Sequence, residues 1–381
     1  MIAAGILLFL AAFALSLVVT GIARRAATRL KLVDNPGQRK VHTIPTPRNG
    51  GIGIFWGLGL PIFAGILAIS FLSVDQLAGL ANLPPEGRDT LARYLPGMLH
   101  HRNLAVLLLA TTLAMHLLGL LDDRVTLPPW PKLLGQLAIA AALVGIGEMM
   151  EPGAFRLLTM LDRIMPGGIF LSALLSILWI TALTNAFNFL DNMDGLAAGV
   201  AFIAALMFLI SALVGGQWFI SSLLVLFMGS LLGFLCYNFP PASIFMGDGG
   251  SMILGFFLSA LTIRTTFYTP DSGAGRFVIL VPLAVMAVPL YDLFIVSALR
   301  IARGRSPMTG DTNHFSHRLV RHGFSKRSAV LIIYAVTLAS GLSAPLLSFI
   351  HDTAGAVLVA MQVAAMLVII AILERVGEHT K

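Results

Sequence analysis

Eleven long apolar runs constrain this chain more than any other feature: 2–22, 51–72, 104–121, 133–150, 168–187, 195–214, 218–237, 250–268, 277–299, 328–349 and 354–373. A helix needs about 20 apolar residues to cross the hydrocarbon core of a bilayer. There the backbone must satisfy its own hydrogen bonds, which leaves helices or closed barrels. Runs of this length read as helices. The expected fold is therefore all-α, a polytopic integral membrane protein of about eleven transmembrane helices. Only 11% of the 381 residues are charged, against about a quarter in soluble domains. The net charge of +7 does not require a nucleic-acid partner, because cytoplasmic loops of membrane proteins are rich in Lys and Arg. The one cysteine, Cys236, excludes an internal disulfide framework and a zinc site built on several cysteines.

No basic residue precedes the first run, and Arg24 and Arg25 follow it. That order predicts a retained helix with its N-terminus outside, not a cleaved leader. The segments after odd-numbered runs, with the C-terminal tail, then face the cytoplasm, and they hold 18 of the 25 Lys and Arg residues. The C-terminus is expected inside. The segment 73–103 reads as an external loop with at most a short helix. No separate soluble domain is expected. The chain 1–381 reads as one multi-pass domain with cytoplasmic loops at 23–50, 122–132, 188–194, 238–249 and 300–327.

Four polar clusters fall on this cytoplasmic side, although Lys and Arg alone set the topology. Asp122 and Asp123 close GLLDDR. Asn185, Asn188, Asp191 and Asp194 repeat every three residues in TNAFNFLDNMDGLAAG. Asp248 sits in FMGDGGSMILGF. His314 and His317 sit in GDTNHFSHRLVRHGFS. Carboxylates and amide carbonyls are hard oxygen ligands suited to Mg²⁺, which would offset phosphate charge. Gly247, Gly249 and Gly250 would let backbone approach a ligand closely. The helix start beside them would offer N–H groups to an anion. Arg39, Lys40, Arg48 and Arg318 would hold remaining negative charge.

Each cluster also has a plainer reading. An Asp-Asp pair can simply end a helix in solvent, and Asp194 can be an N-cap. Gly-Asp-Gly-Gly is a common turn. The two histidines can be loop residues, as can His100 and His101 on the opposite face. Asp292 lies within the ninth run, where a carboxylate defaults to function or to a structural pair.

Six segments together resemble the polyprenyl-phosphate N-acetylhexosamine-1-phosphate transferases. They are DNPGQRKVHTIPTPRNGGIGIF (34–55), LGLLDDR (118–124), NAFNFLDNMDGLAAG (185–199), IFMGDGGSMILGF (244–256), VPLYD (288–292) and DTNHFSHRL (311–319). They stand in the family's order over nearly the whole chain. The resemblance implies transfer of a sugar 1-phosphate, N-acetylglucosamine 1-phosphate by expectation, from a UDP-sugar to undecaprenyl phosphate or a similar polyprenyl phosphate. The products would be a lipid diphosphate-sugar and UMP, in the first membrane step of cell-envelope polysaccharide synthesis. Mg²⁺ would be the cofactor, with Mn²⁺ as a substitute. The implied partners are the UDP-sugar, the lipid phosphate and the bilayer of the plasma (inner) membrane, and homodimer formation stays open.

The same resemblance implies the site residues. Asp248 would be the main Mg²⁺ ligand, with Asn188 assisting. Asp191 and Asp194 would lie on the nucleotide side, Asp194 nearest the uridine, with Asn185 among the substrate-binding residues. Asp122 and Asp123 would stand near the lipid phosphate. Lys40 and His42 match the basic signature of the first cytoplasmic loop. His314 and His317 would contact phosphate, beside Arg318. This branch usually carries His-x-His-His where the chain has His314-Phe315-Ser316-His317, so Ser316 replaces a usual phosphate contact. If that contact is redundant, Ser316→His should keep or raise activity; if the phosphate site is rebuilt around the serine, the larger imidazole should impair it. Three consecutive histidines, usual in the muramoyl-pentapeptide transferases, are absent. The alternative class is a transporter or flippase of a lipid-linked sugar. It would place binding groups near the midplane on broken helices, and no internal repeat is visible.

Overall fold

The computed structural model describes residues 2–30, 32–34, 45–265, 276–306 and 314–373. Helix α1 (Ile2–Leu30) leads to β1 (Val33–Asp34), which pairs antiparallel with β2 (Thr46–Pro47). There follow α2 (Gly51–Phe71), α3 (Val74–Leu80), α4 (Pro85–Val125), α5 (Pro129–Met150), the single turn α6 (Leu161–Ile164), α7 (Gly168–Leu190), α8 (Leu196–Val214), α9 (Trp218–Asn238) and α10 (Asp248–Arg264). A 3₁₀ turn at Arg276–Leu280 precedes α11 (Val281–Val285), α12 (Ala287–Ala302), α13 (Phe315–Arg321) and α14 (Lys326–Leu342). A second, at Pro345–Phe349, precedes α15 (Thr353–Leu373).

Nine helices among the described residues are long and apolar enough to cross a membrane. The chain is an all-α polytopic membrane protein, as its apolar runs require. Two of the eleven expected spans take other forms. The run expected at 250–268 is α10, which has 17 residues. At about 1.5 Å per residue it lies at the short end of the range for a crossing and falls outside the nine. The run expected at 277–299 is broken between α11 and α12 at Met286. Pro289 has no N–H to bond back to Val285, which suits a helix start there. The segment 73–103, expected as a loop, is mostly helical. Ser73 and Gln76 cap α3 reciprocally, and Pro85 occupies the first turn of α4, where its missing N–H costs nothing.

The bundle is organised around α10, buried throughout from Gly249 to Ile263. It packs against α7, α4, α2 and α8. Gly119 on α4 permits this approach, since a Cβ there would lie 2.4 Å from the Asp248 carbonyl oxygen. Outer helices are the reverse: α15 buries only Ala356 and Ile370. Its exposed Leu358 and Met361, like Ile2 and Leu7 of α1, suit contact with lipid tails.

Candidate active site

The site gathers where α4 ends and α10 begins. Asp123 is the pivot. Its two carboxylate oxygens accept the backbone N–H groups of Asp248 and Gly249, each at 2.9 Å. It thereby caps α10 from another helix and places a negative charge on the positive end of the α10 dipole. Arg48 donates to the same carboxylate at 2.6 Å. Burial works against the Arg48 charge, but Asp123 beside it prevails and holds the guanidinium above its ordinary value. Gly247 stands at φ +72°, and a Cβ there would meet Asp123 Oδ2 at 2.6 Å. These contacts revise the expected use of the glycines and the helix start. The first amides of α10 hold a protein carboxylate, and Gly247 makes room for that carboxylate.

Asp122 and Asp248 face each other across one ammonium. Lys132 Nζ lies 2.8 Å from Asp122 Oδ2 and 2.5 Å from Asp248 Oδ2. The other Asp122 oxygen accepts the Leu127 N–H at 2.6 Å. Asn188, on α7, donates to Asp248 Oδ1 and to Ser251 Oγ, both at 2.9 Å, and its carbonyl accepts from Lys132 at 3.2 Å. Asn188 thus orients Asp248 here, rather than turning its oxygen to the space Asp248 faces. Asn185 sits one turn deeper and donates to Gln136 on α5 at 2.7 Å. It ties two helices together away from the carboxylates.

Asp191 follows α7 and is half-buried. No hydrogen bond reaches its carboxyl among the described residues. Burial, then the charges of Asp248 and Asp123, push that carboxyl up to about 8. Asp194 accepts the Ala242 N–H at 3.0 Å, which fastens its loop to the segment leading into α10.

The histidine segment forms a second network beside the first. His314 Nδ1 lies 2.8 Å from one Asp292 oxygen, and the other accepts the Phe315 N–H at 2.8 Å. Asp292 is fully buried. The Arg300 guanidinium lies over the Phe189 ring at 4.8 Å, and Phe189 meets His314 edge to face at 5.5 Å. Phe189 belongs to the same segment as Asn188, so the two networks adjoin. His317 is half-buried, and burial and then His314 push its imidazole below the ordinary value. Arg318 is buried. Ser316 is 1% exposed and donates a short hydrogen bond to Asn192. That burial and bond favour impairment by Ser316→His over a redundant contact. Lys40 and His42, like Arg39, lie outside the described residues.

The glycosyl transferase family 4 model matches residues 105–266. A protein of Bacillus subtilis (strain 168), "Probable undecaprenyl-phosphate N-acetylglucosaminyl 1-phosphate transferase", is 33% identical over 328 residues, 86% of this chain and 80% of that protein. The chain belongs to glycosyl transferase family 4. Another relative, "Decaprenyl-phosphate N-acetylglucosaminephosphotransferase" of Mycobacterium tuberculosis (strain CDC 1551 / Oshkosh), is 35% identical over 381 residues, 94% of this chain and 87% of that protein. A "Phospho-N-acetylmuramoyl-pentapeptide-transferase" of Desulforudis audaxviator (strain MP104C) is 32% identical over 282 residues, 70% of this chain and 76% of that protein.

The segment matched by the glycosyl transferase family 4 model holds Asp122, Asp123, Asn188, Asp191 and Asp248, while His314 and Asp292 lie beyond it. Sequence reasoning passed over the cation at the centre of this family 4 site, Lys132. Its signal was present. Thr126 ends α4 in the left-handed region and Pro128 starts α5 from extended backbone, so α5 folds straight back along α4. A lysine in the first turn of a helix opposes the helix dipole, and here two carboxylates account for it.

Proposed function

We propose that this chain transfers N-acetylglucosamine 1-phosphate from a UDP-sugar to a polyprenyl phosphate, giving a polyprenyl diphosphate-sugar and UMP, at the cytoplasmic face of the plasma membrane. The carrying observation is the charge balance of the site. Among the described residues, Asp122, Asp123 and Asp248 gather around Lys132 and Arg48, with the carboxyl of Asp191 close enough to feel Asp248 and Asp123. An anionic diphosphate would be repelled by that set without further positive charge. A divalent ion fits: the donors are hard oxygens, and a cation beside Asp191 would favour ionisation of a carboxyl that burial and its neighbours hold protonated. Among the described residues these carboxylates do not converge as three ligands on one point. Magnesium tolerates this, since it usually takes one or two carboxylates and completes its shell with water and substrate phosphates.

In this reading Asp248, oriented by Asn188 and Lys132, is the main protein ligand for Mg²⁺, with Mn²⁺ as a substitute. When bound, the ion neutralises diphosphate charge and polarises the phosphorus under attack. Lys132 stands between the carboxylates and the incoming phosphates. Asp191 and Asp194 lie on the nucleotide side, and the His314 segment adjoins them through its contact with Phe189. The lipid phosphate attacks directly. A phosphate monoester is largely dianionic at neutral pH, and every oxygen of Asp122 and Asp123 already accepts a hydrogen bond or ion pair. Neither carboxylate is poised as a free nucleophile. The transporter alternative has no support, because the relatives bear transferase names and the polar groups sit at helix ends.

The test is turnover of purified protein with labelled UDP-N-acetylglucosamine, undecaprenyl phosphate and Mg²⁺. Labelled lipid and UMP should form in equal amounts, and Asp248→Ala should lower kcat roughly 1,000-fold, the order seen when a key transition-state contact is removed. Protein stripped of lipid phosphate should not exchange labelled UMP into UDP-sugar. No lipid product across a panel of UDP-N-acetylhexosamines would sink the reading, and lipid-free exchange at the turnover rate would sink direct attack.

A further inference from the structure

The other end of α10 carries a second cluster of ligand-type side chains. Arg264, its last residue, donates to Glu151 Oε1 at 2.9 Å and lies 3.3 Å from His101 Nδ1. Glu151 ends α5, and His100 and His101 sit midway along α4. The lengths of α4, α5 and α10 therefore separate this cluster from Asp248, and the proposed transfer reaction makes no use of it.

We infer that His100, His101 and Glu151 bind a divalent transition-metal ion of the zinc type. One ligand atom from each lies within 4.8 Å of the others. Zinc bonds of about 2.0–2.2 Å place ligands roughly 3–4 Å apart, so small side-chain rotations close the set. His100 Nε2 and Glu151 Oε2 are already 3.8 Å apart. Two imidazoles and one carboxylate make a donor set that holds zinc with a fourth position open to water. Imidazole nitrogen favours zinc, nickel or copper over magnesium, so this site and the oxygen cluster at Asp248 select different ions.

The surroundings are those of a supported site. Arg264 engages one Glu151 oxygen and leaves the other facing His100, as outer partners commonly orient a ligating carboxylate. The His101 ring stacks on Phe219 at 4.9 Å between centroids, which holds its plane. The contact of Arg264 with His101 is long, and a bound ion takes the imidazole in its place. A plain ion-pair cluster of Arg264 and Glu151 is the competing account, and it has no need of both histidines.

The experiment uses the full chain, purified without a histidine tag and freed of metal by chelation. Co²⁺ titration followed by visible absorption, with Zn²⁺ competition, should show one zinc-displaceable ion per chain. His101→Gln and Glu151→Gln should each weaken Zn²⁺ binding at least tenfold. Asp248→Ala should leave stoichiometry and affinity unchanged, which separates this site from the proposed catalytic one. Absence of Zn²⁺ binding in the parent protein overturns the inference. So does binding that survives both substitutions or disappears with Asp248→Ala. The parent titration decides even if a variant fails to fold.

Discussion

At single residues, the physics of burial gives the sharpest expectations. Asp191 has its carboxyl pushed up to about 8, whereas an unfolded chain releases that proton near pH 3.9. Between those values the folded state holds a proton that the unfolded state has lost. Stability from this group therefore falls as pH rises from about 4 to about 8, then levels. Asp191→Asn removes the term. In metal-free, ligand-free protein the variant should melt higher than the parent, with a gap that widens from pH 5 to pH 8, while losing most turnover. A gap independent of pH would show that Asp191 is not held protonated. Ser316 leads to the opposite kind of change. It is buried against Asn192, and overpacking a filled site costs about 1–3 kcal/mol. Ser316→His should lower both the melting temperature and kcat, and a variant as stable and active as the parent would restore the redundant-contact account. The motif showed that a histidine was missing, but not that Asn192 had taken up the serine left behind.

At the level of elements, the site is a junction of helix ends, each held by a side chain from elsewhere. Asp123 of α4 caps α10, and Asp292 of α12 holds the start of α13 through Phe315 and His314. Asp292 was legible in the sequence as a carboxylate that needed a reason, but a catalytic and a structural reason looked alike. Its two hydrogen bonds decide for positioning. Asp292→Asn keeps the shape and loses the charge beside His314 Nδ1. The variant should fold with little change in melting temperature and lose roughly tenfold in kcat. Unchanged kcat would make Asp292 a purely structural pair. Lys132 was harder to read. It touches Asp122 across a sharp turn and Asp248 across more than a hundred residues, and only the second contact shows that it is central.

For the whole molecule, the proposed orientation follows the positive-inside bias of Lys and Arg and would put the Asp248 end in the cytoplasm and the His100 end outside. In a background carrying Cys236→Ala, Thr126→Cys should react with an impermeant thiol reagent only after the cytoplasmic side is opened. Asp89→Cys should react from outside. Both positions are exposed. The reverse pattern would turn the site to the other face and remove the proposed access to a cytoplasmic UDP-sugar.

Class and order were open to reading from the chain alone, because lipid imposes one rule on every residue. Apolar runs must become helices there, and the clusters at their ends are then forced to a common border. Ordered motifs were enough to point to the family. Partnership was not readable, since it depends on contacts between distant segments. Whether Asp123 would meet a ligand or the amides of α10, and whether Asn188 would face an ion or orient Asp248, depended on close packing. A helix surrounded by α2, α4, α7 and α8 answers to neighbouring backbone rather than to lipid thickness. Its short length and its cap are therefore properties of the assembled bundle.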